Sequence, residues 1–216
     1  MIVWVPGSLN DLDAVTLDAF GTLVELADPL PTIAEALRSR GVERDRNAIA
    51  RAFATEGEYY RANAIRCRDG ASLVAVQTEC AGVFLSALRA DLDPAEFATA
   101  YVGALRFEAI PGIAEDLARL RALGLELAVV ANWEISVHWW LAELGLAEFF
   151  STIVTAAEVG AAKPDPRIFH VALERLGVQP DRALHIGDEE VDREGALAAG
   201  MGFAPTPVAT AVAQLA

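Results

Sequence analysis

Basic residues and cysteines are scarce in this sequence of 216 residues. Lysine and arginine total 17 against 31 aspartates and glutamates, which gives a formal net charge of −14 and a pI near 4.6. Because nucleic acids and anionic membrane surfaces would repel such a chain, neither is expected as a partner. The two cysteines, Cys67 and Cys80, lack the spacing of a metal site, so a reducing, cytoplasmic location is expected.

Apolar segments with the features of a targeting signal are also lacking. The N-terminal run Met1–Gly7 has no basic residue and is too short for a signal peptide. The segment Gly195–Ala216 is uncharged for 22 residues, a length that could span a bilayer. It is rich in alanine and glycine and contains Pro205 and Pro207, so the better prediction is a last strand followed by a short helix.

Short apolar runs alternate with helical patterns from Pro111 onward, and most of these helices stop at a glycine. Strands that are apolar on both faces and separated by helices of about three turns are typical of a parallel sheet covered on both sides. The sequence therefore predicts a Rossmann-like, three-layer α/β/α core. The predicted strands are 14–17, 127–130, 152–155, 183–186 and a last one near 201–204.

The segment between about residues 28 and 105 has no convincing strand and reads as four helices. Asp45 and Asp93 stand where helix N-caps are expected, and Gly41 follows the last turn of the first helix. Residues 1–26 and 108–216 are therefore predicted to form the core. Residues 27–107 are predicted to form an all-helical cap over the carboxyl edge of the sheet.

Polar residues follow the predicted strands at the points where those strands end. Asp18 follows the first strand, Ala131 and Asn132 follow the second, a loop to Lys163 follows the third, and Gly187–Asp192 follows the fourth. The carboxyl ends of parallel strands meet at one edge, where open α/β sheets bind ligands. The sequence thus predicts one site built from these four segments.

The acidic residues at this predicted site need a compensating cation. Asp18, Asp188 and Asp192, with Glu189 nearby, cannot all remain ionised at close range without one. A set of oxygen ligands suits Mg²⁺. The ion would hold an anionic substrate beside Asp18, and Lys163 would supply the remaining positive charge.

In order and spacing, these segments resemble the motifs of the haloacid dehalogenase-like hydrolase superfamily. The run from Asp18 to Leu23 is similar to its first motif, and Gly187–Asp192 is similar to its acidic last motif. The run from Lys163 to Phe169 resembles subfamily IA, in which a helical cap is inserted after the first strand. The resemblance covers about residues 14–26 and 108–204. It implies a Mg²⁺-dependent phosphatase acting on a small phosphorylated metabolite.

The resemblance also implies a role for each matching residue. Asp18 would be the nucleophile that forms an aspartyl-phosphate, and Lys163 would pair with Asp18 and with the transferring group. The implied metal ligands are Asp18, the main-chain carbonyl of Phe20, Asp188 and Asp192. The implied substrate-binding residues are Thr22, Ala131, Asn132 and Lys163.

Two positions depart from the pattern of phosphatases in this superfamily. Phe20 stands where those enzymes carry a second aspartate that protonates the leaving oxygen, a contribution of about 10²–10⁴-fold. Ala131 stands where a serine or threonine usually binds the phosphoryl oxygens, which removes a donor worth roughly 10–10³-fold. Hydrolysis of a phosphate ester with a poor leaving group is therefore expected to be slow.

These departures leave two alternatives open. An aromatic residue at position 20 resembles the dehalogenase branch, in which the aspartate attacks a carbon bearing a halogen and no metal is needed. The second alternative is a catalytically weakened metal-binding or interaction protein. Neither the substrate nor the oligomeric state is readable from the sequence.

His185 and Trp133 are interpreted without a catalytic role. His185 lies within an apolar strand and is predicted to be a core residue with satisfied nitrogens. Trp133, next to Asn132, is a candidate wall of the site.

Overall fold

The structure, a computed structural model, describes residues 11–215. The N-terminal run Met1–Gly7, for which no signal peptide is expected, lies outside the described residues. The chain divides into two compact units. The core unit contains the residues up to Glu25 and those from Ala109 onward, and the helical unit is Leu26–Glu108.

Strands and helices alternate through most of the core unit, whereas helices dominate the other unit. In chain order the elements are β1 (Ala14–Leu17), β2 (Val24–Leu26), α1 (Leu30–Arg38), α2 (Arg46–Asn63), α3 (Gly70–Leu88), α4 (Pro94–Val102), β3 (Phe107–Ala109), α5 (Ile113–Ala122), β4 (Glu126–Ala131), α6 (Val137–Glu143), β5 (Thr152–Thr155), α7 (Ala156–Val159), α8 (Arg167–Leu176), β6 (Ala183–Gly187), α9 (Glu190–Ala198), β7 (Gly202–Pro205) and α10 (Val208–Leu215).

The sheet of the core unit has five parallel strands in the order β5-β4-β1-β6-β7. Helices flank this sheet, so the predicted Rossmann-like α/β architecture is confirmed. β1 is the central strand, and its last residue, Leu17, lies in register with Val129 of β4 and Ile186 of β6. The residue that follows Leu17 therefore emerges between two neighbouring strand ends.

The strands are mostly apolar and largely buried, because helices cover the sheet. β1 is buried at every position, and so are all five residues of β6. One cluster joins Val130 and Val154 of the sheet to Ile168 and Phe169 of α8. Burying a side chain of this size stabilises the fold by roughly 1.5–3 kcal/mol, so this packing fixes the positions of the strand ends.

The sequence pattern predicts helices over residues 134–144 and 193–199, and in the structure both begin at other residues. α6 starts at Val137 instead of Glu134, because the Glu134 carboxylate accepts hydrogen bonds from the N–H and the hydroxyl of Ser136. α9 starts at Glu190 instead of Arg193, because Glu189 and Asp192 form a capping box. The tail of the chain forms β7 and the short helix α10, as expected from its prolines.

The helical unit contains the four predicted helices, α1 to α4. Asp45 and Asp93 cap α2 and α4 as expected, each accepting a backbone hydrogen bond from the first turn. An aromatic cluster fills the centre, with the rings of Phe84 and Tyr101 4.7 Å apart. The Tyr101 hydroxyl donates to the buried Glu56 carboxylate at 2.8 Å.

α3 is also long and apolar enough to cross a membrane by length and composition, a test that core helices of soluble proteins pass as well. Its residues Val76, Cys80, Phe84 and Leu85 are buried against other parts of the helical unit. This helix is therefore weak evidence for a membrane span.

The two strands at the unit boundary, β2 and β3, were not apparent from the sequence. They form a two-stranded sheet, and beside it the N–H of Ala27 donates to the carbonyl of Arg106 at 2.9 Å. Each strand has only three residues, too few for an alternating pattern to be recognised.

Candidate active site

The predicted site residues all belong to the core unit, and the structure brings most of them together. Asp18 follows β1 and is 7% exposed, and its N–H donates to the carbonyl of Ile186. Asp188 follows β6 directly, and Asp192 lies in the first turn of α9. The three carboxylates each offer an oxygen, and these oxygens lie within 4.8 Å of one another.

Lys163 joins two of these carboxylates. Its Nζ donates to Oδ1 of Asp18 and lies 2.6 Å from Oδ1 of Asp192. The side chain is 2% exposed, so the ammonium is removed from water and depends on these partners. Lys163 is also the only lysine in the sequence, a signal that its charge is not interchangeable with that of the arginines.

Burial and charge together set the protonation of this group. Burial raises the pKa of Asp18; Lys163 opposes this rise and the Asp192 carboxylate adds to it. Burial also disfavours the charge on Lys163, but the two carboxylates raise its pKa above the usual value. Although burial opposes ionisation of Asp192 as well, hydrogen bonding from His185 and the charge of Lys163 lower its pKa.

Asn132 fixes the loop that carries Lys163. Its Oδ1 accepts from the N–H of Lys163 at 2.6 Å, and its Nδ2 donates to the carbonyl of the same residue at 3.0 Å. Both bonds go to main-chain atoms, so Asn132 holds the loop whatever the charge of the lysine. The residue predicted to bind substrate thus also positions Lys163.

Asp188 is the exposed member of the acidic cluster. Burial, together with the negative charges of Asp192 and Glu189, raises its pKa. Its carboxylate lies directly over Gly21, where a side chain would overlap it. Gly21 has φ +80°, a conformation that L side chains rarely adopt, so the turn after Asp18 is specific for glycine.

Thr22 is buried beneath this turn with 2% exposure. Among residues 11–215, its Oγ1 stands out as a buried side-chain oxygen that makes no hydrogen bond within the protein. Buried polar groups are usually satisfied, so the orphan hydroxyl makes Thr22 a candidate donor to a bound group.

The positions that depart from the phosphatase pattern are both at this edge of the sheet. Phe20 is 52% exposed, and its ring meets that of Trp133 edge-on with centroids 6.3 Å apart. Ala131, the last residue of β4, is 1% exposed and presents only a methyl group. The neighbourhood of Asp18 is therefore apolar on the side of Phe20 and ionic on the side of Lys163.

His185 is buried with both nitrogens partnered: Nδ1 lies 2.8 Å from Thr16 Oγ1, and Nε2 lies 3.3 Å from Asp192 Oδ1. Burial lowers its pKa. Sequence reasoning predicted a satisfied core residue but missed Thr16, because the contact depends on the register of β1 with β6. The position of a threonine two residues before Asp18 was the available signal.

In chemical terms, this arrangement combines a buried carboxylate, an ammonium group and an acidic cluster at the end of a parallel sheet. Carboxylate oxygens at such distances suit a divalent cation, and Asp18 can serve as a nucleophile towards an electrophile held beside that cation. The orphan hydroxyl of Thr22 adds a donor for an anionic group.

The chain is similar to known proteins. A family model described as haloacid dehalogenase-like hydrolase matches residues 12–200. Over 96 residues the chain is 42% identical to haloacid dehalogenase-like hydrolase domain-containing protein 3 of Mus musculus, a match to 44% of this chain and 38% of that protein. It is 39% identical over 94 residues to the glyceraldehyde 3-phosphate phosphatase of Methanopyrus kandleri, a match to 42% of this chain and 40% of that protein.

A solved structure is similar over a larger share of the chain. The L-2-haloacid dehalogenase from Xanthobacter autotrophicus, with chloropropionic acid covalently bound, is 26% identical with a TM-score of 0.66. That match covers 90% of this chain and 77% of the dehalogenase. By contrast, the chain spans about two fifths of the length of the two curated relatives.

Proposed function

Since the chain belongs to the haloacid dehalogenase-like hydrolase family, we propose that it is a Mg²⁺-dependent phosphatase with Asp18 as nucleophile. The substrate is a small phosphorylated metabolite. The observation that carries the proposal is the joining of Asp18 and Asp192 through the buried amine of Lys163, with Asp188 completing a cluster of three carboxylates. The similarity to a glyceraldehyde 3-phosphate phosphatase supports this substrate class.

The donor set fits a magnesium ion. Asp18, Asp188 and Asp192 supply carboxylate oxygens within 4.8 Å of one another, and the Phe20 carbonyl adds a further oxygen by family resemblance. Both oxygens of Asp192 already have partners in the protein. Oδ1 faces Lys163 and His185, and Oδ2 accepts a hydrogen bond from the N–H of Glu189. When bound, the ion supplies positive charge that lets a phosphoryl group approach the Asp18 carboxylate.

Each protein residue of the site then has its own role in the reaction. An oxygen of Asp18 attacks phosphorus, the bond from phosphorus to the leaving oxygen breaks, and an aspartyl-phosphate forms. Water hydrolyses this acyl phosphate, releases inorganic phosphate and returns Asp18 as a carboxylate. Lys163 holds Asp18 in place and offsets charge on the transferring group. The free hydroxyl of Thr22 donates to a phosphoryl oxygen.

Phe20 restricts which phosphates this site can hydrolyse. Its side chain has no exchangeable proton, so the leaving oxygen departs as an anion unless another acid protonates it. Aryl, acyl and similar activated phosphates have stable leaving anions and need no such acid. The proposed preference is therefore for phosphorylated molecules with a good leaving group.

A dehalogenase is the second candidate, favoured by the aromatic residue at position 20 and by the similarity to the Xanthobacter enzyme. Attack on a carbon bearing halogen releases halide, which needs no proton. The acidic cluster argues against it, because closely spaced carboxylates are costly without a cation. The two functions differ in their need for metal.

The test compares wild type with Asp18→Asn on an aryl phosphate and, separately, on 2-chloropropionate, each with Mg²⁺ and with EDTA. We expect phosphate release that requires both Asp18 and Mg²⁺, and no chloride release. Asp165→Asn is the matched control, since Asp165 pairs with Arg167 outside the acidic cluster and should retain activity. Chloride release that persists in EDTA would establish the dehalogenase instead, and equal phosphate release by wild type and Asp18→Asn would remove Asp18 from the mechanism.

A further inference from the structure

A line of polar contacts runs through the buried side of the site, away from the substrate face. It begins at Thr16 on β1, passes to His185 directly opposite on β6, and continues to Asp192 on α9. From Asp192 it reaches Lys163 and then Asp18. Every member of this line is buried. The proposed mechanism uses Asp18, Lys163 and Asp192, but it leaves Thr16 and His185 without a role.

The direction of each hydrogen bond follows from the chemistry of the groups. An ionised carboxylate only accepts, so the hydrogen between His185 and Asp192 must be on Nε2. In a neutral imidazole the other nitrogen is then an acceptor, and the hydroxyl of Thr16 donates to Nδ1. Thr16 thereby selects the tautomer of His185 that can donate to Asp192.

Packing leaves the imidazole and the carboxylate little freedom. The ring of Phe169 meets His185 edge-on with centroids 4.9 Å apart, and the centroid of the Phe203 ring lies 6.5 Å from that of His185. Asp192 is packed against Gly187, where an added Cβ would overlap the carboxylate. The ring is therefore held in one orientation, and only its protonated nitrogen faces Asp192.

We propose that His185 and Thr16 are positioning residues for Lys163. Oδ1 of Asp192 accepts from both His185 and Lys163, so the imidazole fixes the oxygen that in turn fixes the ammonium beside Asp18. This inference rests on the proposed function, because it assigns a purpose to holding Lys163 against the nucleophile. Without the imidazole donor, Oδ1 of Asp192 loses one of its two partners, and Lys163 loses part of the support that aligns it with Asp18.

Three variants test the line of contacts by activity on an aryl phosphate with Mg²⁺. His185→Leu removes the donor, His185→Gln keeps an N–H donor at a similar distance, and Thr16→Val removes the hydroxyl without changing shape. We expect His185→Leu to lower kcat about 10- to 100-fold, the usual cost of losing a supporting partner, with KM little changed. His185→Gln should recover most of that loss, and Thr16→Val should lower kcat in the same direction.

Leu184→Ala is the matched control for stability, since Leu184 neighbours His185 on β6, is fully buried and points to the opposite face of the sheet. It should lower Tm while kcat per folded molecule stays at the wild-type value. If Leu184→Ala loses as much kcat as His185→Leu, or if His185→Gln is no better than His185→Leu, the positioning role is wrong.

A second readout does not need turnover. The chain has three histidines, so ¹⁵N labelling of histidine gives a simple spectrum in which ring-nitrogen shifts report each tautomer. We expect the Nε2–H tautomer for His185 in wild type and a mixture in Thr16→Val. An Nδ1–H tautomer in wild type would overturn the inference. Absence of phosphate release by wild type would instead refute the proposed function, and the tautomer result would stand apart from it.

Discussion

Gly21 lies against the carboxylate of Asp188, and a Cβ atom at position 21 would overlap Oδ2 of that residue. The glycine belongs to the turn after β1, and the aspartate follows β6. Two segments distant in sequence are therefore in close contact where the oxygens of the proposed metal site meet. The turn after Asp18 therefore helps to fix the position of the Asp188 carboxylate.

Gly21→Ala should cost both stability and metal binding. The positive φ imposes a penalty of roughly 1–2 kcal/mol on a residue with a side chain, and the methyl group also displaces Asp188. Gly124→Ala is the control, since Gly124 has φ +83° and open space around its Cβ position. We expect both variants to lose Tm, whereas only Gly21→Ala loses the additional rise in Tm on adding Mg²⁺. Equal Mg²⁺ stabilisation in the two variants would contradict the proposed role of Asp188.

Phe20→Asp should broaden the range of leaving groups. A carboxylic acid at this exposed position can protonate a departing alkoxide, an effect worth about 10²–10⁴-fold. Turnover of an alkyl phosphate should therefore rise much more than turnover of an aryl phosphate. Phe20→Leu, which is apolar and has no proton to give, should show no such gain. A uniform change on both substrates would mean that Phe20 does not occupy the position of the missing acid.

Asn132→Asp should loosen the loop that carries Lys163. The new carboxylate can still accept from the N–H of Lys163, but its second oxygen faces the carbonyl that Nδ2 now donates to. Losing one hydrogen bond and creating this repulsion should cost about 1–3 kcal/mol. Urea unfolding measures that loss, and kcat on an aryl phosphate should fall with it. Unchanged stability would show that the two bonds do not hold the loop.

Glu56→Gln should change how the helical unit responds to pH. Burial raises the pKa of Glu56, so the folded state holds the proton more tightly than the unfolded chain. Stability from the protonated form is present at low pH and is lost as pH rises through the folded pKa. The Tm of wild type should therefore fall relative to Glu56→Gln as the pH rises above the ordinary pKa of a glutamate, about 4.3.

Glu79→Gln should show the opposite pH dependence of Tm in the same unit. Hydrogen bonds from Arg66 and Tyr59 lower the pKa of Glu79, so its ionised form stabilises the fold at neutral pH and that stability disappears as pH falls. This variant should lose Tm relative to wild type at neutral pH and approach it in acid. If both variants shift in the same direction, the pKa directions do not govern stability here.

The architecture and the approximate positions of the strand ends followed from sequence because each strand of the main sheet is short, mostly apolar and separated from the next strand by a helical pattern. Asp18 and Asp188 could be named for that reason. The start of α6 could not be predicted, since it depends on a hydrogen bond from Ser136 to Glu134 that competes with the helix. The contact of Thr16 with His185 could not be predicted either, because it depends on the register between two strands that are far apart in sequence.

The small sheet of β2 and β3 places the two ends of the helical unit side by side, with Ala27 and Arg106 joined by a hydrogen bond. An inserted segment whose ends lie about 5 Å apart, the spacing of paired strands, fits between Ala27 and Arg106. The five-stranded sheet is complete without the helical unit, because no strand of that sheet comes from the inserted stretch. The strand ends that carry the carboxylates and the lysine are therefore built without any residue of the insertion.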